Sequence, residues 1–104
     1  MENKDFFDAI CGIVEDVTEI PANELLSHIR REEVVDARYL LVTFLRVWGF
    51  YPSQIARLTG FSVRNINHTL SHFPERLKRQ GKQMGRNYQL IKRELGSLAE
   101  TTSL

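Results

Sequence analysis

The sequence holds a single cysteine, Cys11, so no disulfide can form within the chain. A lone thiol fits a reducing compartment, and the expected location is cytoplasmic. No apolar run approaches the roughly 20 residues that a membrane-spanning helix needs, so no membrane partner is expected. The opening residues Met1-Glu2-Asn3-Lys4-Asp5 are polar and partly acidic, unlike a secretory signal. No Gly-x-x-x-x-Gly-Lys-Ser/Thr loop is present, so no nucleotide is expected to bind in a phosphate-cradling loop of that kind. There is no internal repeat, no low-complexity tract and no strand-like alternation of apolar and polar residues. No serine, histidine and aspartate fall in a catalytic motif, so an enzyme is not expected. His68 and His72 are four apart and share a helix face, but two ligands do not make a zinc site. No metal or cofactor is expected.

What the chain does contain is an uneven distribution of charge. Its 104 residues fit one domain with a core of its own, and the net charge is only +1. Up to Asp36 there are three basic and ten acidic residues, whereas Ala37 to Arg93 has eleven basic residues and one acid, Glu75. A basic block that also folds points to a polyanion, with nucleic acid the first candidate. The acidic N-terminal part is a solvated face, a contact for a protein partner, or a surface for self-association.

Helical spacing of apolar residues runs through the chain. Phe6, Phe7, Ile10, Ile13, Val14 and Val17 predict a helix from about Lys4 to Val17, capped by Asp5 or Asn3. Cys11 lies inside it and is expected to be buried. Pro21 suits the first turn of a short helix through Leu26. Val34, Ala37, Leu41, Phe44, Leu45 and Trp48 predict the longest helix, Glu32 to Trp48, ended by Gly49. A short helix with Ser53 as cap follows. Thr59-Gly60-Phe61 makes a tight turn, and Ser62 caps the next helix. Val63, Ile66, Leu70 and Phe73 form its buried side, and Pro74 is expected to stop or kink it. Gly81 and Gly85 bracket a joint before a last helix, Arg86 to Leu95. The expected fold is all-α, a bundle of about six helices spanning residues 1–98, with 99–104 a disordered tail.

The segment from Ser53 to Phe73 has the spacing of a helix-turn-helix: small Ala56, then Gly60, then aliphatic Ile66. Two steeply crossing helices need a small contact residue and a sharp turn. At about 100° per residue, Arg64, His68 and Ser71 point away from Ile66, flanked by Asn65 and Asn67. A guanidinium, two amides, an imidazole and a hydroxyl suit base edges and phosphates in a major groove. Arg46, Arg57, Arg76, Lys78 and Arg79 are candidate phosphate contacts. The expected function is sequence-specific binding of double-stranded DNA, which would make the protein nucleoid-associated. The alternative is a helical protein-interaction module whose basic face meets an acidic protein.

A longer stretch resembles a known family. Ile13-Val14-Glu15-Asp16-Val17-Thr18-Glu19-Ile20-Pro21-Ala22-Asn23-Glu24-Leu25-Leu26-Ser27 is similar to the opening of the C-terminal DNA-binding domain of the bacterial replication initiator DnaA family. The similarity continues through Arg30-Arg31-Glu32-Glu33-Val34-Val35-Asp36-Ala37-Arg38 to Arg46, resumes at Ile55-Ala56, and ends weakly in Tyr88-Gln89-Leu90-Ile91. The resemblance implies a Trp-repressor-like helix-turn-helix and a role in replication control or transcription regulation. It implies that Arg30 enters the minor groove, that Arg46 contacts DNA and that Arg38 is a basic position of the long helix. For Arg38 a structural ion pair with Asp36 or near Glu33 is an equal reading, and for Arg46 a solvated charge is. The family signature Gly-Arg-Asp-His-Thr-Thr is matched only in fragments, Arg64-Asn65 and His68-Thr69, with an insertion between them. Ser62 and Thr69 join the candidate contacts, but the family's DNA sequence does not carry over.

Overall fold

The computed structural model describes the chain from residue 3 to residue 102. Six helices follow one another: α1 (Asn3–Thr18), α2 (Ala22–Leu25), α3 (Glu32–Trp48), α4 (Pro52–Thr59), α5 (Val63–Gln80) and α6 (Lys82–Thr102). There is no strand among the described residues, so the fold is all-α as the sequence predicts. No helix among them is long and apolar enough to cross a membrane.

The long third helix forms the axis. Val34, Ala37, Leu40, Leu41, Val42, Phe44 and Leu45 are all buried, which is more than one stripe and means that α3 is covered on several sides. It packs against each of the other five helices. Glu32 and Glu33 occupy its first turn, where the positive end of the helix dipole favours them. Gly49, at φ +126°, ends it, and the Phe50 N–H donates to the Leu45 carbonyl as the chain turns away. Burial of Phe50 then fixes the direction of exit.

Several boundaries differ from the sequence expectation. The fourth helix starts two residues earlier than a Ser53 cap implies. Pro52 is its first residue, and the Tyr51 N–H is met by the Gln54 side chain at 2.8 Å, so Ser53 lies inside the helix rather than capping it. The N-terminal helix includes both Asn3 and Asp5.

The fifth helix passes through Pro74 without ending. An interior proline costs about 3 kcal/mol in a free helix, so tertiary contacts must offset it. They lie in the last two turns. Arg76 Nε donates to Asp36 Oδ1 at 2.7 Å, and Gln80 Nε2 donates to Glu32 at 2.6 Å and Asp36 at 3.0 Å. Phe73 is buried just before the proline.

The joint before the sixth helix is Gly81 alone, at φ +75°. Gly85 is already inside α6, which begins at Lys82 and runs to Thr102. Residues 99–102 are therefore helical rather than part of a disordered tail, and Ser103 and Leu104 lie outside the described residues. The reason is the apolar seam: Met84, Ile91 and Leu95 are buried, with Tyr88 and Leu98 half-buried beside them. Tyr88 meets Phe44 of α3 and Phe73 of α5, at ring-centre distances of 5.1 and 5.9 Å. That aromatic contact joins three helices at one point.

Candidate nucleic-acid interface

The turn between α4 and α5 is built as its residues dictate. Gly60 takes φ +84°, a conformation that a β-carbon resists, and its N–H donates to the Ala56 carbonyl at 2.9 Å. Phe61 tucks inward, 6% exposed. Ser62 is extended, and its hydroxyl oxygen accepts from the Asn65 N–H at 3.0 Å. This N-cap fixes where α5 begins and so which of its residues face out.

Ile66, Thr69 and Phe73 form the buried side of α5. Arg64, Asn65, Asn67, His68 and Ser71 are exposed. Four of the five predicted outward groups come from the first two turns, beside the α5 N-terminus. Ser71 Oγ donates to the His68 carbonyl at 3.1 Å, and its oxygen lies 3.1 Å from His72 Nδ1. The imidazoles of His68 and His72 stack with centres 4.0 Å apart. No group of three or more His, Cys, Asp or Glu gathers around a common point among the described residues.

One site residue differs from expectation in its placement. Thr69 is 5% exposed, and its hydroxyl donates to Asn65 Oδ1 at 3.4 Å. It is on the inward side because it follows Ile66 by three residues, nearly one turn. It is next to His68 in sequence but not on the same face. A threonine so placed lies beside the groove rather than on the outward face of α5.

An open groove runs beside this helix. Ser62, Arg64, Asn65 and His68 line it from α5, and His28 and Arg30 line it from the connection between α2 and α3. Val35, Arg38, Tyr39, Phe61 and Thr69 complete the lining, and none of these residues is acidic. Three arginines therefore share one concave surface with two histidines and no carboxylate. Such a surface favours an anionic ligand, because nothing inside it offsets the positive field.

The arginines differ in what they are free to do. Arg30 is exposed. Its neighbour Arg31 is held by Glu33 and Glu24, the latter at 2.7 Å, and these hydrogen bonds raise its pKa. Arg38 is half-buried and makes neither of the ion pairs considered for it. Its guanidinium donates to the carbonyls of Leu25 at 3.0 Å, Ile29 at 3.1 Å and Glu24 at 3.4 Å. It also lies over the Phe61 ring, 5.5 Å from its centre. Burial lowers its pKa from the ordinary arginine value.

Arg46 is exposed near the end of α3, 5.7 Å from the Tyr51 ring, and does not line the groove. Arg76 is not available as a phosphate contact: it is paired with Asp36 and lies 4.8 Å from the Tyr39 ring. Arg57, Lys78 and Arg79 are exposed. Sequence reasoning missed His28 and Tyr39 as groove residues. His28 sits in a connection with no helical period, so no spacing rule marks it. It meets Phe61 edge-on at 5.4 Å.

No family model matches the chain, and neither a curated protein nor a solved structure matches it.

Proposed function

We propose that this chain binds double-stranded DNA with sequence preference, laying the first turns of α5 in the major groove and Arg30 in the adjacent minor groove. The observation that carries this reading is the groove between them. An exposed, hydrogen-bonding helix face and an exposed arginine from a separate connection line one acid-free surface. Arg64 suits guanine and Asn67 suits adenine, each by paired hydrogen bonds. An arginine in a narrow minor groove is favoured by that groove's negative potential. The start of α5, where the positive end of the helix dipole favours a phosphate, lies at this groove. The resemblance of Ile13 to Arg46 to the DnaA C-terminal domain supports the same docking, in replication control or transcription regulation at the nucleoid.

Binding to random-sequence duplex as a function of salt tests this directly. If about five phosphates are neutralised, log K falls against log salt with a slope near −4 to −5. Absence of binding at low salt would overturn the proposal and favour an acidic protein as the partner of the basic face. Selection from a random duplex pool then supplies the preferred site.

A further inference from the structure

The groove has two walls from separate parts of the chain, and one side chain touches the support of both. Arg38 reaches out of α3 to the connection that carries Arg30, and under the turn that starts α5. Its shortest contacts there are the carbonyls of Leu25 and Ile29. A helix of four residues leaves its last carbonyls short of intrahelical partners; Leu25 is the last residue of α2, whereas the Glu24 carbonyl also accepts from the Ser27 N–H and hydroxyl. The Ile29 carbonyl stands in an irregular stretch. One planar guanidinium, with several donors in a fixed fork, serves all three.

The consequence for Arg30 is mechanical. Its preceding neighbour is held through the Ile29 carbonyl by Arg38, and its following neighbour Arg31 is held by Glu24 and Glu33. Ser27 adds a local brace, donating to the Glu24 carbonyl at 2.7 Å and accepting from the Ile29 N–H at 3.3 Å. The opposite wall is tied in through Phe61. That ring has the Arg38 guanidinium at 5.5 Å and the His28 ring at 5.4 Å. Phe61 immediately precedes Ser62, the cap of α5.

We infer that Arg38 is a positioning residue that sets the spacing between the minor-groove arginine and the major-groove helix, rather than a DNA contact in its own right. This rests on the DNA-binding reading above. Its physical content is that Arg30 delivers its contact only while the connection is held in register with α5. A lysine cannot replace Arg38, because a single ammonium lacks the fork that spans separated acceptors.

The test uses the full chain with the duplex recovered by selection from a random pool. Arg30→Ala should weaken binding on the order of tenfold. Arg38→Lys, which keeps the charge, should weaken it by a similar factor. The double variant Arg30→Ala/Arg38→Lys should fall no more than about twofold below Arg30→Ala, since the two act as one unit. In the Arg30→Ala background, Arg38→Gln should leave the slope of log K against log salt unchanged. If Arg38 instead neutralises a phosphate, Arg38→Lys keeps most of the affinity and Arg38→Gln lowers that slope by about 0.9. Either result overturns the inference.

Nitrogen relaxation of the free protein gives a readout independent of DNA. Backbone order parameters at residues 27–31 should drop from about 0.85 towards 0.6 in Arg38→Lys, with those of α5 retained. Unchanged values overturn the clamp even if DNA binds. Failure to recover any duplex sinks the DNA reading alone, and the relaxation result still decides the clamp.

Discussion

Thr69 and His68 are adjacent in the chain but face opposite environments. His68 is exposed beside Asn65 and Arg64, whereas Thr69 is buried with its hydroxyl turned to Asn65. Their substitution should therefore separate binding from packing. If α5 enters the major groove as proposed, Asn67→Ala and His68→Ala should each relax preference at one or two base pairs by about 1–3 kcal/mol. Thr69→Val should leave the selected sequence unchanged, because it alters only a buried contact and stability by about 1 kcal/mol. Competition binding against single-base variants of the selected duplex reads both. A changed preference in Thr69→Val, or none in the other two, would overturn this assignment of the outward face of α5.

At the scale of elements, the second half of α5 is held by α3 rather than by its own propensity. Beyond Pro74 it is anchored by the Asp36–Arg76 pair, whose side chains are 22% and 15% exposed, and by Gln80. A pair this sheltered keeps more of its interaction than a surface bridge. Asp36→Ala should destabilise the fold by about 1.5–3 kcal/mol, because Arg76 and Gln80 then lose an acceptor. Arg76→Ala should cost a similar amount, and the double variant clearly less than the sum of the two. Urea unfolding of the four proteins gives the coupling directly. Full additivity would mean that the pair does not hold the helix, and that packing of Phe73 and Leu77 alone carries α5 past the proline.

The molecule as a whole closes over Cys11, which lies in α1 and is 6% exposed. Burial, with the nearby Asp8 and Glu15 carboxylates, pushes its thiol up to about 12 from 9.0. The unfolded chain therefore releases this proton at lower pH than the folded one. Stability from this source is fully present below about pH 9 and is lost as pH rises towards 12. The slope is about 1.4 kcal/mol per pH unit over that window. Thermal melts of wild type and Cys11→Ala across it should diverge, the variant lacking this loss. Parallel curves would mean that the thiol ionises without opening the core.

Much of this was readable in the sequence because it depends on neighbours along the chain. The helical spacing from Val34 to Trp48, the left-handed turn at Gly60 and the cap at Ser62 follow from periodicity and backbone preference alone. So does the outward direction of Arg64, Asn67 and His68 once Ile66 is taken as buried. What local rules cannot supply is the competition between distant groups. Pro74 argues for a stop, and only the distant contacts with Asp36 and Glu32 of α3 explain why α5 continues. Gly85 and residues 99–102 look like a joint and a tail until the seam of α6 is packed against α1 and α5. Arg38 is the sharpest case. Its sequence context offers the Asp36 carboxylate within one turn, yet its donors go to backbone carbonyls of α2 and of the connection after it, and its guanidinium lies over the Phe61 ring. Carbonyls carry no residue-specific mark in a sequence, so only the tertiary structure assigned Arg38 to them.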